Sequence, residues 1–395
     1  MSDKREVVFV SGVRTAIGAY GGTLKDFAPV ELASRVLREA IARAGIDAAQ
    51  VGHVVFGNVI HTETRDMYVS RVATINGGCP KETVSMSVNR LCGSGFQAVV
   101  SAANAIQLGD ADVAIAGGVE SMSRGGYLMP AARWGARMGE AKLVDMMVGA
   151  LTDPFEQTHM GITAENVAAK FGLSREEQDA FAVESHRRAA AATDAGYFKD
   201  QILPIEIVSK KGSTFFDTDE HFRRDATLEG MAKLKAVFKK DGVVTAGNAS
   251  GINDGAAALV LMEASAAERA GLKPLARLVS YGHAGVEPEL MGTGPIPAVK
   301  LALKRAGLSA SDMDVIESNE AFAAQAMCVT RGLDLDPAKV NVNGGAVALG
   351  HPVGATGAIL TVKAIYELIR TQKRYGLVTM CIGGGQGIAG VIERL

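Results

Sequence analysis

Gly376-Leu377-Val378-Thr379-Met380-Cys381-Ile382-Gly383-Gly384, then Gly385-Gln386, then Gly387-Ile388-Ala389-Gly390-Val391-Ile392-Glu393 reads as two apolar strands separated by a short glycine-rich turn. The same two runs occur earlier. Asp112-Val113-Ala114-Ile115-Ala116-Gly117-Gly118 matches the first, and Gly255-Ala256-Ala257-Ala258-Leu259-Val260-Leu261-Met262-Glu263 resembles the second. Working outward, the likeness continues: Val7-Val8-Phe9-Val10, a helical stretch over 29–44 and Val54-Val55-Phe56-Gly57-Asn58 are echoed by Ala276-Arg277-Leu278-Val279, a helical stretch over 297–306 and Val315-Ile316-Glu317-Ser318-Asn319. The chain is a duplication. Strands alternating with helices give an α/β fold, with sheets covered by helices in two similar βα halves packed against each other.

The two halves differ in one respect. The last two strands of the second half are separated only by Gly383-Gly384-Gly385-Gln386, whereas roughly 130 residues lie between Glu120 and Gly255. The expected organisation is therefore a first half from 1–120 plus 251–270, an inserted region over 121–250, and a second half over 271–395. The insertion holds a methionine-rich stretch (Met129, Met138, Met146, Met147, Met160) and Ser174-Arg175-Glu176-Glu177, a capping box before an amphipathic helix. Insertions of this kind often build substrate sites or subunit contacts.

Composition narrows the function. With 395 residues, 48% of them hydrophobic, the chain can bury a large core, and a net charge of −2 without long like-charged runs provides no broad field for nucleic acid or a membrane surface. Any anionic ligand must be met locally. Four cysteines (Cys79, Cys92, Cys328, Cys381) lie far apart without metal-ligand spacing, which argues against a zinc site and a disulfide framework. No metal is expected, and reduced thiols fit a reducing compartment. The polar start, Met1 to Glu6, leads straight into Val7-Val8-Phe9-Val10 and leaves no room for a leader, and no apolar run reaches membrane-spanning length, so a cytoplasmic location is expected.

Cys92 stands in Asn89-Arg90-Leu91-Cys92-Gly93-Ser94-Gly95-Phe96-Gln97-Ala98, a polar turn running into a helical apolar pattern. A cysteine at a helix N-terminus faces unpaired N–H groups and the positive end of the helix dipole, which favour thiolate, and Gly93 and Gly95 leave room for a substrate carbonyl. A small buried hydrophobe is the alternative reading. His351 lies in the glycine-rich segment 344–357 before another helix, at the position matching Cys92 in the duplication, where it could deprotonate a thiol or donate to an oxyanion. The alternative is a hydrogen-bonded structural histidine. Asn319 ends an apolar run and could hold a water or a carbonyl oxygen, or else cap a helix. Cys381 and Gly383 end another, where bare N–H groups could form an oxyanion pocket, or where the thiol could be inert.

Asn89–Ala98, 319–323, 344–357 and 381–387 resemble, in order, the signature motifs of thiolases. The likeness is greatest to biosynthetic acetyl-CoA acetyltransferases, including the bacterial β-ketothiolases that feed polyhydroxyalkanoate synthesis. The resemblance implies two packed mixed sheets with helices between and outside, and an inserted loop domain that serves CoA binding and oligomerisation. It implies reversible Claisen chemistry in which two acetyl-CoA give acetoacetyl-CoA and CoA, with CoA thioesters as substrates and no permanently bound cofactor. Cys92 would carry the acyl group, His351 would promote its thiolate, and Cys381 would move the α-proton. His351 with an Asn319-held water, and the N–H groups of Cys92 and Gly383, would form two oxyanion holes. Family-matched CoA positions are Arg223 near the nucleotide, His159 and Ser250 at the pantetheine end, and Met160, Leu151, Met291, Ala321 and Phe322. The 127–147 segment resembles the family's tetramer-forming loop, so a homotetramer is expected ahead of a dimer. Gly230, Ser318 and Gln386 depart from common family residues, which bears on CoA contacts and acyl selectivity and keeps a broad β-ketothiolase, acting on 3-oxovaleryl-CoA and longer chains, as the variant reading.

Other classes fit less well. Gly93-x-Gly95-x-x-Ala98 formally matches a dinucleotide fingerprint, but it neither follows a strand directly nor opens the first βαβ unit. Ketoacyl synthases share the duplicated architecture yet use histidines where this chain has Asn319 and Cys381. A catalytically silent CoA-binding relative would be expected to lack one of Cys92, Asn319, His351 and Cys381, and all four are present.

Overall fold

A computed structural model describes residues 5–210 and 212–395. Part of the polar start read as leaving no room for a leader, residues 1–4, lies outside the described residues. In the first half, Val7–Thr15 pairs antiparallel with Asn253–Glu263, which pairs antiparallel with Val113–Ser121, which pairs parallel with His53–Gly57. The second half repeats this order. Ala276–Gly285 pairs antiparallel with Gln386–Arg394, then Tyr375–Ile382 follows antiparallel and Val315–Ser318 parallel. Val84–Val88 extends the first half as an added parallel edge strand.

Each half is thus a mixed sheet, and the two also share an edge. Val8 pairs with Arg277 and Phe9 with Ala276, antiparallel, joining the first strand of one half to the first strand of the other in one continuous strand order. Each first strand would otherwise present unpaired N–H and C=O groups, and the duplicated strand supplies their partner. On the first half's side of this joint, Val7–Thr15, Asn253–Glu263 and Val113–Ser121 are buried at every residue, which explains their long apolar runs.

Two helices lie at the centre. Ser94–Leu108, which follows Cys92, packs against Thr356–Thr371, which follows His351, and the latter also touches strands of both halves. Their first turns meet backbone to backbone: a Cβ on Gly95 would come within 2.6 Å of the Ala358 nitrogen, and one on Gly357 would enter the Phe96 backbone. Only glycine fits there.

The segment after Ser121 lies over both halves. Its helix Arg175–Asp194 is capped as the sequence indicates, with Ser174 Oγ accepting from the Glu177 N–H at 3.1 Å and Glu177 accepting from the Ser174 N–H at 2.8 Å. That helix packs on Ala346–Leu349, just ahead of His351, and Met160–Phe171 packs on Ala323–Gly332. A buried ion pair fastens the segment to the first half. Arg14 donates to both carboxylate oxygens of Asp219 at 2.7 and 2.9 Å and to Gln201 at 2.8 Å, with neither ionic side chain exposed. Next along, Glu220 accepts from the Ala19 N–H at 2.8 Å and from the Thr23 hydroxyl at 2.7 Å.

All four cysteines are free thiols. Among the described residues no group of His, Cys, Asp and Glu has the arrangement of a metal site, and no helix is long and apolar enough to cross a membrane.

Candidate active site

The turn that carries Cys92 follows the edge strand Val84–Val88, and Leu91 adopts a left-handed φ of 45° that swings the chain round before Gly93 caps the helix. Cys92 therefore sits just ahead of the first helical turn and lines a cavity of about 420 Å³. Its side chain packs with Met122, Met147 and Val353. The N–H of Gly383 and its own N–H both hydrogen-bond to its sulfur and favour thiolate. Burial outweighs them, with a smaller contribution from the Glu120 charge, and pushes the thiol up to about 11. The low pKa expected from the helix terminus is therefore not realised in the free protein, because desolvation exceeds what the dipole and two N–H groups return. A base must take this proton.

His351 stands in the same cavity wall, brought there from the other half. Its Nδ1 lies 2.6 Å from the Thr356 hydroxyl, whose own proton goes to the Pro352 carbonyl at 2.9 Å. Thr356 must then accept from Nδ1–H, which leaves Nε2 unprotonated, an acceptor facing the Asn319 amide and able to take a proton. Burial lowers the imidazole pKa to about 4, so the ring is neutral and able to accept a proton near neutral pH. Its backbone is fixed too: the His351 N–H donates to Asn253 Oδ1 at 2.9 Å, from a central strand of the first half.

Asn319 approaches Nε2 of His351 through its amide nitrogen at 3.4 Å, while its buried Oδ1 has no hydrogen-bond partner among the described residues. It is not a helix cap, because the following helix begins at Ala323 and has Phe322 at its N-cap. Cys381 is fully buried at the end of Tyr375–Ile382, packed with Met160, Met291, Ala321 and Phe322. Burial, and then the charge of a Cys92 thiolate, push its thiol well up, so the two sulfurs sense each other. Cys92, His351 and Gly383 line the cavity, whereas Cys381 and Asn319 are buried and do not.

The eight residues matched to CoA all line this cavity. His159 accepts the Gly161 N–H at 3.0 Å and stacks on Phe238 at 4.6 Å. The Ser250 N–H donates to the Ala321 carbonyl at 3.0 Å, which ties two of these positions together. Arg223 faces the cavity, whereas Arg224 pairs with Asp194 on the surface at 2.8 Å. Neither Ser318, which is buried, nor Gln386, which is exposed, lines the cavity, and Gly230 lies in the short helix Leu228–Ala232 with its N–H on the Thr227 hydroxyl.

Sequence reading missed His221 and Phe238, both in the cavity wall. His221 stands two residues before Arg223, a spacing that places two side chains on one side of an extended segment and could have flagged it. Phe238 carried no such signal.

The position of Cys92 leads to a first expected result. Its alkylation by iodoacetamide should accelerate about tenfold per pH unit from neutrality to about pH 9, as the thiolate fraction of a group titrating well above that range grows. Rates that level off near pH 6 would instead reveal a preformed thiolate.

The family described as thiolase, N-terminal domain, matches residues 7–265, and thiolase, C-terminal domain, matches residues 272–394. β-Ketothiolase BktB of Cupriavidus necator is 67% identical over 392 residues, covering 99% of this chain and all of that one. An acetyl-CoA acetyltransferase of Syntrophomonas wolfei is 51% identical over 396 residues, with 99% and 100% coverage. Among solved structures, the Bacillus anthracis acetyl-CoA acetyltransferase superposes with a TM-score of 0.97 at 47% identity, and human mitochondrial 3-ketoacyl-CoA thiolase with 0.97 at 46%, each covering 99% of both chains. With both family regions present, the full length of its relatives covered and the duplicated fold shared, this chain belongs to the thiolases and is a thiolase-family enzyme.

Proposed function

We propose that the chain interconverts two acetyl-CoA with acetoacetyl-CoA and CoA, and that it extends the same chemistry to 3-oxovaleryl-CoA and longer 3-oxoacyl thioesters. The observation that carries this reading is the convergence on one sulfur: two N–H groups face Cys92, a neutral imidazole shares its cavity, and a second thiol is close enough to sense its charge. His351 Nε2 takes the Cys92 proton, and the thiolate attacks an acyl-CoA carbonyl to give the acyl-enzyme and free CoA. The departing CoA thiolate takes the Cys381 proton and leaves as the thiol; the Cys381 thiolate then removes the α-proton of a second acetyl-CoA. The carbanion attacks the acyl-Cys92 carbonyl, expelling the Cys92 thiolate, which recovers its proton from the His351 imidazolium. Oxyanions are met by the N–H groups of Cys92 and Gly383 at one carbonyl, and by His351 with an Asn319-held water at the other. Each such donor is worth roughly 3–4 kcal/mol in the transition state. The mostly apolar cavity suits a pantetheine arm, with Ser250 and His159 along it and Arg223 near the nucleotide phosphates.

The 67% identity to a chain named β-ketothiolase favours the wider acyl range. Loss of 3-oxoacyl-CoA absorbance on adding CoA tests it, comparing four-, five- and six-carbon substrates. Comparable rates are expected; turnover confined to acetoacetyl-CoA would leave a narrow acetyltransferase. The assembly is a homotetramer in a reducing, cytoplasmic setting. Supporting this are the exposed apolar side chains Tyr127, Trp134 and Met138 around the Tyr127–Leu128 and Val144–Asp145 pair, and Val84 and Met86 exposed on the strand at the open edge of the sheet.

A further inference from the structure

Glu120 is a fully buried carboxylate that the chemistry above does not use. Oε1 accepts from Asn58 Nδ2 and the Ile60 N–H, both at 3.0 Å, and Oε2 accepts from the Val59 N–H at 3.2 Å and the Gly354 N–H at 2.8 Å. Four donors thus converge on one side chain. Three belong to the 58–60 turn, whose Val59 and Ile60 pack in the same apolar cluster as Cys92. The fourth belongs to the turn between His351 and Thr356, the two residues that set the imidazole's tautomer. A Cβ on Gly354 would come within 2.6 Å of Oε2, so that turn is shaped around the carboxylate.

We infer that Glu120 is a positioning residue: it clamps the wall behind Cys92 to the His351 turn and so fixes the two turns relative to each other. Every protein partner of its oxygens is a donor N–H, so a protonated carboxyl would set an O–H against one of them and lose a bond. Those bonds favour the anion, yet burial prevails and raises its pKa to about 8; Asp66 and Cys92 are the ionisable groups whose charges couple to it. Above that pH the carboxylate is ionised, and its charge opposes the Cys92 thiolate, which titrates higher still. This inference rests on the thiolase reading of Cys92 and His351, but it adds a residue that touches neither substrate nor reacting atoms.

Glu120→Gln and Glu120→Asp separate the two effects. Glutamine removes the charge and turns one acceptor into a donor facing N–H groups; aspartate keeps the charge but falls one methylene short. For Glu120→Gln, thiolysis kcat should fall on the order of tenfold to a hundredfold, with KM for CoA within about twofold, because misplacement of the reacting groups is felt in the chemical step. The pH midpoint of Cys92 alkylation should shift down, a change that mere loosening of the fold does not produce. For Glu120→Asp, kcat should fall with the midpoint near that of the parent. If the glutamine variant does not fold, the aspartate variant decides by the same two readouts. A parental kcat, or a midpoint that stays put in Glu120→Gln, overturns the inference. Absence of turnover in the parent enzyme would instead overturn the thiolase reading beneath it.

Discussion

Cys381→Ala is expected to form an acyl-enzyme at Cys92 and then stall, whereas Cys92→Ala is expected to form none. Removing a nucleophile costs on the order of 10⁶-fold in kcat, and removing a positioned base about 10²- to 10⁴-fold. The structure gives the order of events a physical basis. A Cys92 thiolate raises the pKa of Cys381, so the two thiols do not ionise together. Acylation converts Cys92 into a neutral thioester and removes that repulsion, which makes Cys381 easier to deprotonate at the moment a base is needed. Intact-mass measurement after mixing with acetyl-CoA, followed by assay of acetoacetyl-CoA, reads both steps. A Cys381→Ala variant that condenses at the parental rate would show that another group moves the α-proton.

Arg14→Ala is expected to be the most destabilising single change outside the site, by about 3–5 kcal/mol. The mutation leaves Asp219 buried at 0% exposure without its bidentate partner and removes a guanidinium that also lies 5.1 Å over the Phe198 ring. Replacing both ionic partners by apolar residues of similar volume should recover much of the loss, because the uncompensated charge causes most of it. Denaturant midpoints measured at one protein concentration, so that subunit association does not intervene, check this. A change below about 1 kcal/mol would mean that water reaches Asp219 and that the pair is dispensable. Because Asp219 and Glu220 immediately precede His221 and Arg223, KM for CoA should rise in the same variant before it unfolds.

The duplication was legible because each half keeps its own strand and helix periodicities, and the observed strands follow the same order outward from the joint. The pairing of Val8 and Phe9 with Arg277 and Ala276 was not, because register across a joint depends on how two finished halves dock. Cys92, His351, Asn319 and Cys381 stood out in the sequence through turns rich in glycine and polar residues between apolar runs. The Cys92 ionisation was misjudged, because its apolar neighbours Met122, Met147 and Val353 come from three distant places in the chain. His221 and Phe238 were missed for a related reason: the insertion has no counterpart in the second half against which its cavity-facing side chains could be matched.

The contact of Gly95 with Ala358 and of Gly357 with Phe96 has a consequence for synthesis. Cys92 emerges from the ribosome more than 250 residues before His351, and the wall that shapes its pocket includes Gly383, close to the last strand. A nascent chain ending before the second half holds an ordinary cysteine without its imidazole or its Gly383 N–H. The proposed nucleophile acquires its surroundings only when the two glycine-lined helix starts close on each other, late in folding, through contacts of very large sequence separation. Reactivity is thereby withheld from truncated products.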